Sequence, residues 1–382
     1  MNLLPTLYKQ DSKGRIQQWT IEYTPGSFWT IEGLVGGKLT TSKPTTVQQK
    51  NVGKANETSL LEQAKSQSEA KWTKKVEAGY FEDIDDCGKG VDFFEPMLAH
   101  KYELEKENIT FPCGSDYKLD GMRCIVDAKH GMMSRKGKPI YSAPHILEGV
   151  KDLLVKYPGL VLDGELYGHR DQIDFEKVMS LVKKQKPSPE ELAESKKYVT
   201  LWLYDGGTPG QLGMAYEDRW YFLVQYVTAA GLIRNNENPT GPITLCPKIE
   251  CRNQAELDAH QQKAIAEGYE GQIIRLYGRS YENKRSHYLI KRKEFLDSEF
   301  IIKDITEGNG SRSGIAGRAC FEMPNGTTFD AGLRGTHEYC RELLMNKHKY
   351  IGLPATVRYQ ELTGALGVPR MPVMIGIRQG GE

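Results

Sequence analysis

The pattern of apolar and polar positions changes along the chain, and each pattern predicts a different kind of structure. Within residues 1–80, apolar and polar residues alternate on both sides of Asp11 to Gly14, which predicts a β-hairpin whose second arm is Ile16 to Tyr23. From Ser59 the period lengthens, and Ser59 with Glu62 forms the capping-box pattern that begins a helix. The first part of the chain is therefore expected to be a small module that combines α and β structure.

The middle of the chain, residues 81–295, mixes short apolar strands with amphipathic helices. Beyond about residue 296 the pattern becomes short strands separated by glycine-rich turns, which predicts a small β-barrel over 296–382. The chain as a whole is therefore predicted to be an α+β protein of three parts. The main predicted strands are Tyr117 to Asp127 (with a central turn), Leu160 to Tyr167, Val199 to Tyr204, Gly271 to Arg275, Tyr288 to Arg292, Phe300 to Ile305 and Ala355 to Leu362.

Composition narrows the class of protein. The 382 residues are 39% hydrophobic and 26% charged, which is typical of a soluble globular protein with a sizeable core. The chain has no run of apolar residues long enough to span a membrane and no secretory signal at its start, so we expect a cytoplasmic protein, in the host cytoplasm if it is viral. The 7 cysteines are scattered without a Cys-x-x-Cys pair, which favours free thiols over a structural zinc site. Coiled-coil heptads are also missing, so we expect a monomer.

Net charge does not by itself indicate a nucleic-acid binder. The 51 basic and 50 acidic residues give a formal charge of +1, so only a local patch could bind phosphates strongly. Residues 1–80 carry more lysines than acids. A phosphate-binding face and ordinary solubility lysines explain that excess equally well.

The most informative segment for chemistry is Lys118 to Arg123. A lysine precedes the Asp120-Gly121 turn, and Arg123 follows it. A lysine amine can attack a carbonyl carbon or a phosphorus atom, and an arginine nearby can bind an anionic substrate. The alternative is a hairpin with the turn at its tip and with Lys118 and Arg123 in solvent.

Four further charged residues could complete a site for phosphoryl chemistry. Glu165 lies inside an apolar strand and Glu270 precedes another, while Lys291 and Lys293 alternate and so share one face of a strand. Carboxylates could bind Mg²⁺, and lysines could neutralise a phosphate. Each charge alone could equally lie at a strand end or on a solvent-facing side.

Taken in order, these segments resemble the motifs of the covalent nucleotidyltransferase superfamily, and specifically those of the ATP-dependent DNA ligases. The resemblance runs from about residue 93 to the C-terminus. The segments that carry it are Pro96 to Ala99, Lys118 to Arg123, Ser134 to Gly137, Asp163 to Glu165, Trp202 to Asp205, Glu270 to Ile274, Leu289 to Lys293 and Arg370 to Arg378. The Asp-Lys pair that usually follows the last arginine of this family is missing here.

The resemblance implies an ATP-grasp-like nucleotidyltransferase domain over 81–295, followed by an OB-fold barrel. It also implies a three-step reaction with ATP, Mg²⁺ and nicked double-stranded DNA. Lys118 attacks the α-phosphorus of ATP to form a lysyl-AMP, AMP passes to the 5′-phosphate of the nick, and the 3′-hydroxyl displaces AMP.

The resemblance also assigns roles to individual residues. Lys118 is the nucleophile, Tyr204 stacks on adenine, and Asp116 contacts the edge of the base. Arg123, Glu165 and Arg135 contact ribose or phosphate. Glu270 binds Mg²⁺ together with Glu165, and Lys291 and Lys293 neutralise the α-phosphate. The resemblance also implies that Arg370 and Arg378 contact phosphate or DNA.

Several alternatives stay open at this point. RNA end-joining and guanylyl transfer share the lysine motif, and a DNA-binding protein without catalysis would keep the fold. A NAD-dependent ligase is disfavoured because its cysteine zinc site is missing from the sequence. Residues 1–80 resemble a small WGR-type module. Short chains with little beyond these two domains are typical of viruses and bacteria.

Overall fold

A computed structural model describes residues 2–11, 13–87, 93–169, 172–309, 312–364 and 366–378. Contacts divide the chain into two units. One contains residues 1–95 and 133–139, and the other contains residues 96–132 and 140–382. Across the described residues, every helix is too short or too polar to cross a lipid bilayer.

The first unit is an antiparallel sheet covered by one helix. Its core contains Leu7, Trp19, Ile21 and Phe28 from the sheet and Ala64 from the helix, all of them buried. The elements are β1 (Asn2–Leu3), β2 (Leu7–Gln10), β3 (Ile16–Thr24), β4 (Ser27–Leu34), β5 (Leu39–Thr41), β6 (Thr45–Thr46) and α1 (Leu60–Val76).

Local signals in the sequence account for the start of this unit. The side chain of Asp11 accepts hydrogen bonds from the backbone N–H groups of Lys13 and Arg15, which closes the turn between β2 and β3. Ser59 and Glu62 form the reciprocal capping box at the beginning of α1. The hairpin and the helix start that the sequence predicted are both confirmed.

The second unit begins with two five-stranded sheets, each mostly antiparallel. One has the strand order β10-β9-β11-β12-β13 and the other has the order β14-β8-β15-β16-β7. The strands are β7 (Leu98–Lys101), β8 (Cys113–Lys118), β9 (Met122–Asp127), β10 (Gly131–Ser134), β11 (Val161–Tyr167), β12 (Thr200–Gly207), β13 (Ile243–Leu245), β14 (Lys248–Cys251), β15 (Gly271–Leu276) and β16 (Arg285–Lys293).

Helices pack against these sheets. Ile146 and Val150 of α3 and Leu223 of α7 are fully buried in the largest apolar core, together with Leu162 and Leu201 of the first sheet. The helices are α2 (Tyr102–Glu105), α3 (Pro144–Lys156), α4 (Phe175–Val182), α5 (Pro189–Tyr198), α6 (Pro209–Leu212), α7 (Tyr216–Ala229) and α8 (Gln254–Ala266).

The segment from Lys118 to Arg123 is not a hairpin, so the alternative with solvated arms is wrong. β8 pairs with β14 and β15, whereas β9 pairs with β10 and β11 in the other sheet. The turn at Asp120 and Gly121 therefore carries the chain from one sheet to the other. The side chains of Lys118 and Arg123 are only 18% and 17% exposed.

The chain ends in a closed five-stranded barrel of the OB-like kind, with strand order β17-β18-β19-β21-β20. The barrel interior holds Ile302, Ile305, Phe321 and Ala331, all fully buried. Its elements are β17 (Leu296–Glu307), β18 (Ala316–Glu322), β19 (Thr328–Leu333), α9 (His337–Met345), β20 (Pro354–Tyr359) and β21 (Val373–Ile377). The barrel predicted from short strands and glycine-rich turns is therefore confirmed.

Candidate active site

Lys118 lies at the last position of β8, where the chain leaves one sheet for the other. The crossing is tight: a Cβ atom on Gly121 would come within 2.3 Å of the backbone oxygen of Leu166 and within 2.8 Å of Cγ of Glu165. Only glycine allows this close approach of the turn to β11. The Asp-Gly turn thus brings Lys118 next to Glu165, which belongs to the other sheet.

The Lys118 amine contacts the carboxylate of Glu270, which directly precedes β15. The backbone N–H of Glu270 donates to the carbonyl oxygen of Lys118 at 3.0 Å, which fixes the two residues side by side. The same carboxylate also contacts the Lys293 amine and accepts a 3.0 Å hydrogen bond from Nε2 of Gln360. Burial alone would raise the pKa of Glu270, but the charges of Lys118 and Lys293 outweigh it and lower that pKa below its usual range.

Glu165 is the second acid beside the amine, and its environment differs from that of Glu270. Burial raises the pKa of Glu165 to about 7, and the charge of Glu270 adds to this effect, while Lys118 and Arg123 oppose it. The Tyr204 hydroxyl donates to Oε2 of Glu165 at 3.3 Å and to the carbonyl oxygen of Gly164 at 3.1 Å. One acid of the pair is thus ionised at neutral pH, and the other titrates there.

This pKa predicts an unusual pH dependence of stability. Between the ordinary pKa of 4.5 and about 7, the unfolded chain has released a proton that the folded chain still holds, so raising the pH disfavours the folded state. The Glu165→Gln variant lacks this effect. We expect it to be more stable than the parent at pH 8, by up to about 3 kcal/mol, with a smaller difference at pH 5.

Thermal unfolding at both pH values, without nucleotide or metal, measures this difference. Glu148→Gln is the matched control, because Glu148 is exposed on α3 and its replacement should change stability equally at both pH values. The assignment would be contradicted if the stability of Glu165→Gln relative to the parent were no greater at pH 8 than at pH 5.

Arg123 of β9 is held by a residue that the sequence had not assigned a role. Its Nε and Nη2 atoms donate to Asp163 at 2.7 and 2.5 Å, and the Tyr281 hydroxyl donates to the same carboxylate at 2.7 Å. The guanidinium also lies 5.2 Å from the centre of the Tyr204 ring. Asp163 therefore orients Arg123, and the Tyr281 hydroxyl shares its carboxylate. The sequence did offer one indication of Asp163, because it is a second acid in the apolar strand β11, two residues before Glu165.

Asp116, two residues before Lys118, is buried in a chain of ion pairs. Nε of Arg275 donates to its Oδ2 at 2.6 Å, and Lys248 lies 3.8 Å from its Oδ1. Nη1 of Arg275 donates to Oδ2 of Asp205 at 2.8 Å, and Asp205 in turn binds Arg219. Oδ1 of Asp116 is buried and has no hydrogen-bond partner among the described residues.

Lys248 and Arg275 were missed by the sequence reasoning. Burial lowers the pKa of Lys248 to about 8, against the opposing charge of Asp116, and its amine lies 3.3 Å from the centre of the Trp220 ring. Lys248 begins a short strand and matches no recognised pattern of residues. Arg275 could have been noticed as a charge that interrupts the apolar residues of β15.

The two lysines of β16 extend the cationic side of the site. Lys291 and Lys293 pair in register with Ile273 and Gly271 of β15. Burial lowers the pKa of Lys291, and the charges of Lys293 and Lys118 lower it further. Two ammonium groups, of Lys118 and Lys293, contact the carboxylate of Glu270, and the charges of both also act on Lys291. This group of cations makes the site suited to bind an anion.

The remaining arginines lie in different surroundings. Arg370, in the barrel part of the chain, binds Asp120 beside Lys118, binds Glu361 at 2.7 Å, and covers the Phe175 ring at 3.7 Å. Arg378 is 69% exposed and contacts Glu299. Arg135 is exposed in the turn after β10, within the first unit. The structure thus brings Arg370 to the loop of Lys118, and the phosphate contacts expected for Arg135 and Arg378 stay predictions.

A family model and individual relatives both match this chain to DNA ligases. Residues 96–293 match the model of the ATP dependent DNA ligase domain, which is more than half of the chain. DNA ligases of African swine fever virus are similar over most of the chain: that of isolate Warthog/Namibia/Wart80/1980 is 27% identical over 366 residues, covering 90% of this chain and 81% of the viral one. The DNA ligase of strain Badajoz 1971 Vero-adapted is 28% identical over 368 residues with the same coverage.

Solved structures show the same fold. A Lig E DNA ligase, described as binding DNA with a minimal scaffold, superposes with a TM-score of 0.61 at 22% identity, covering 76% of this chain and 100% of that one. The structure named Pmar-Lig_Pre superposes with a TM-score of 0.63 at 21% identity, covering 76% of this chain and 68% of that one.

Proposed function

We propose that this chain, which belongs to the family of ATP-dependent DNA ligases, seals nicks in duplex DNA through a lysyl-AMP intermediate on Lys118. The observation that carries the proposal is the position of the Lys118 amine. It contacts Glu270, lies beside Glu165, and shares its carboxylate partner with Lys293. A nucleophile, two acids and further cations within one cleft are what adenylyl transfer from ATP requires.

In the first step, the Lys118 ammonium group gives up a proton to solvent, and the resulting amine leaves Glu270. Its nitrogen then forms a bond to the α-phosphorus of ATP, and the bond from that phosphorus to the bridging oxygen of pyrophosphate breaks. Negative charge grows on the departing pyrophosphate and on the α-phosphate oxygens. Lys291 and Lys293, on one face of β16, are placed to offset that charge.

Glu165 and Glu270 fit a Mg²⁺ ion. Carboxylate oxygens are the protein ligands that Mg²⁺ prefers, and the charge of Glu270 already raises the pKa of Glu165, so a cation between them would relieve a repulsion. When bound, Mg²⁺ would neutralise phosphate charge. If Glu270 held the ion, its carboxylate would no longer bind the Lys118 amine.

The adenine end of ATP fits the buried face of the same cleft. Oδ1 of Asp116 lacks a hydrogen-bond partner among the described residues, and an amino group on the edge of a base would supply one. Arg275, which holds the other oxygen of Asp116, also lies 5.6 Å from the centre of the Tyr204 ring. The Tyr204 ring is therefore the candidate stacking surface for the base.

In the second and third steps the adenylate moves from Lys118 to DNA. An oxygen of the 5′-phosphate attacks the phosphorus of AMP, and the bond to the lysine nitrogen breaks. The 3′-hydroxyl then attacks the 5′-phosphate, and AMP leaves with the bridging oxygen. Arg123, fixed by Asp163, is the candidate contact for the nick phosphate.

The other parts of the assignment are proposals of the same kind. The boundaries near residues 80 and 295, the monomeric state and the cytoplasmic location stay predictions. The first unit is a candidate DNA-binding module because residues 1–80 carry more lysines than acids, which can form a face that binds phosphates. Its WGR-type identity stays a prediction.

Intact mass spectrometry tests the reaction directly. After incubation with ATP and Mg²⁺, the full chain should gain the mass of one AMP, and adding a nicked DNA duplex should remove it while the strand is sealed. Parallel incubations with GTP, and with nicks that carry RNA on one side, separate this function from guanylyl transfer and RNA joining. A chain that gains no adenylate, or that gains guanylate instead, would overturn the proposal.

A further inference from the structure

A second cluster of metal-ligating side chains lies at the other end of β16 from Lys293. It consists of His100 on β7, Glu105 on α2 and His287 on β16. β7 and β16 run parallel, but their register slips: Ser286 pairs with Ala99, and the next pair is Ile290 with His100. The three residues that bulge out of β16 include His287, and this irregularity brings its imidazole over that of His100.

Both imidazoles converge on one carboxylate oxygen. Nδ1 of His287 lies 2.7 Å from Oε1 of Glu105, and Nδ1 of His100 lies 3.4 Å from the same atom. The two rings are stacked with centroids 4.1 Å apart and planes 17° apart. One ligand atom from each of the three residues lies within 4.8 Å of the other two. Some point between three such atoms is at most about 2.8 Å from each, so shifts of well under 1 Å would reach the 2.0–2.2 Å of zinc bonds.

We infer that His100, Glu105 and His287 form a binding site for a divalent transition-metal ion of the zinc class, separate from the site of adenylyl transfer. Two imidazole nitrogens and one carboxylate oxygen are a recurrent protein ligand set for zinc, and solvent can supply a fourth ligand because the His287 side chain is 69% exposed.

The surroundings of Glu105 support a ligand role. Its side chain is 5% exposed, and a hydrogen bond from Asn108 together with the nearby imidazoles lowers its pKa. Nδ2 of Asn108 donates to Oε2 at 3.2 Å, which leaves Oε1 directed at the two histidines. Ligating carboxylates in metal sites are usually oriented by such an outer hydrogen bond.

The charges around the histidines act in both directions. Burial lowers the pKa of His100, and the charges of His287, Arg285 and Lys291 lower it further, against the pull of Glu105. Arg285 and Lys291 also repel a cation, while Glu105 and the nearby Glu282 attract one. Two imidazole nitrogens beside a carboxylate that is 5% exposed favour a transition metal over Mg²⁺.

The position of the site suggests what the ion does. It would join β7, α2 and β16 at the slipped register, four residues before Lys291. A metal there would hold the strand that carries both phosphate-facing lysines. This is a stabilising role, and it does not depend on the proposed chemistry of Lys118.

Cobalt(II) titration of the full-length chain tests the inference. The buffer should contain excess Mg²⁺ and no nucleotide, so that oxygen-only sites are filled with Mg²⁺. We expect one equivalent of Co²⁺ with a visible absorption band typical of nitrogen ligation, without the near-ultraviolet band of cobalt–thiolate bonds, because the cysteines are not ligands. Zn²⁺ should displace the cobalt and raise the Tm.

Two ligand variants and one control complete the test. His287→Gln and Glu105→Gln should each weaken Co²⁺ binding at least about tenfold and abolish the Zn²⁺ effect on Tm. His348→Gln removes an exposed histidine elsewhere and should bind Co²⁺ like the parent. Because His287 is exposed, its variant should keep the metal-free Tm of the parent. Parent protein that gives no band, or a His287→Gln variant that binds as tightly as the parent, would overturn the inference and leave a hydrogen-bonded histidine pair only.

Discussion

Replacement of Lys118 by alanine is expected to abolish adenylylation and to reduce nick sealing with ATP by roughly 10⁴-fold or more. The amine is the nucleophile of the proposed reaction, and the other lysines of the cleft cannot take its place. Lys293 is bound to Glu270 from the neighbouring strand, and Lys291 lies two residues before it on β16. Intact mass after incubation with ATP and Mg²⁺ measures the first step, and a sealing assay measures the whole reaction.

Two controls separate lost chemistry from lost structure. Lys151→Ala removes an exposed lysine of α3 and should leave both readouts unchanged. The Lys118→Ala variant should also still seal a nick whose 5′-phosphate already carries AMP, because that step needs no lysine nucleophile. A variant that seals nicks with ATP at the parent rate would show that another residue carries the adenylate.

The second large effect concerns stability. Asp205→Asn is expected to lower the free energy of unfolding by about 3–5 kcal/mol. Asp205 binds Arg219 through two hydrogen bonds of 2.7 and 3.1 Å and Arg275 at 2.8 Å, and all three side chains are at most 6% exposed. Removing the carboxylate charge leaves the Arg219 guanidinium buried beside a neutral amide, while Arg275 keeps Asp116 as its one remaining carboxylate. Thermal unfolding should show a drop in Tm on the order of 10 °C.

The chain offers a matched control on its surface. Asp297 binds Arg358 with the same two-pronged geometry, at 2.7 and 2.6 Å, but these side chains are 39% and 42% exposed. Asp297→Asn should therefore cost less than about 1 kcal/mol. Equal losses in the two variants would mean that burial does not set the cost of breaking these pairs.

The residues nearest the proposed chemistry could be found from the sequence because each has a short-range signal. Lys118 precedes an Asp-Gly turn, Glu165 interrupts an apolar strand, and Lys291 and Lys293 alternate on β16. The structure brings them together, and it shows a crossing between sheets where the alternative interpretation had a hairpin. That crossing depends on Gly121 and Leu166, which are far apart in sequence, so no local pattern could indicate it.

The partners of these residues could not be predicted in the same way. Asp163 binds Arg123 across 40 positions, and Gln360 reaches Glu270 across 90. Pairs of this kind depend on strand order and on the position of the barrel. The His100, Glu105 and His287 cluster has the same origin, since a register slip between parallel strands brings two distant histidines together.

The contacts of Gln360 with Glu270 and of Arg370 with Asp120 bear on how long an adenylate on Lys118 would last. Both side chains belong to the barrel part of the chain. Their partners lie close to Lys118, since Glu270 contacts its amine and Asp120 follows it by two residues. A phosphorus–nitrogen bond formed there would be shielded from stray water. If the proposed lysyl-AMP forms, its hydrolysis would therefore consume few ATP molecules in the absence of nicked DNA, and the adenylylated protein would persist until it binds a nick.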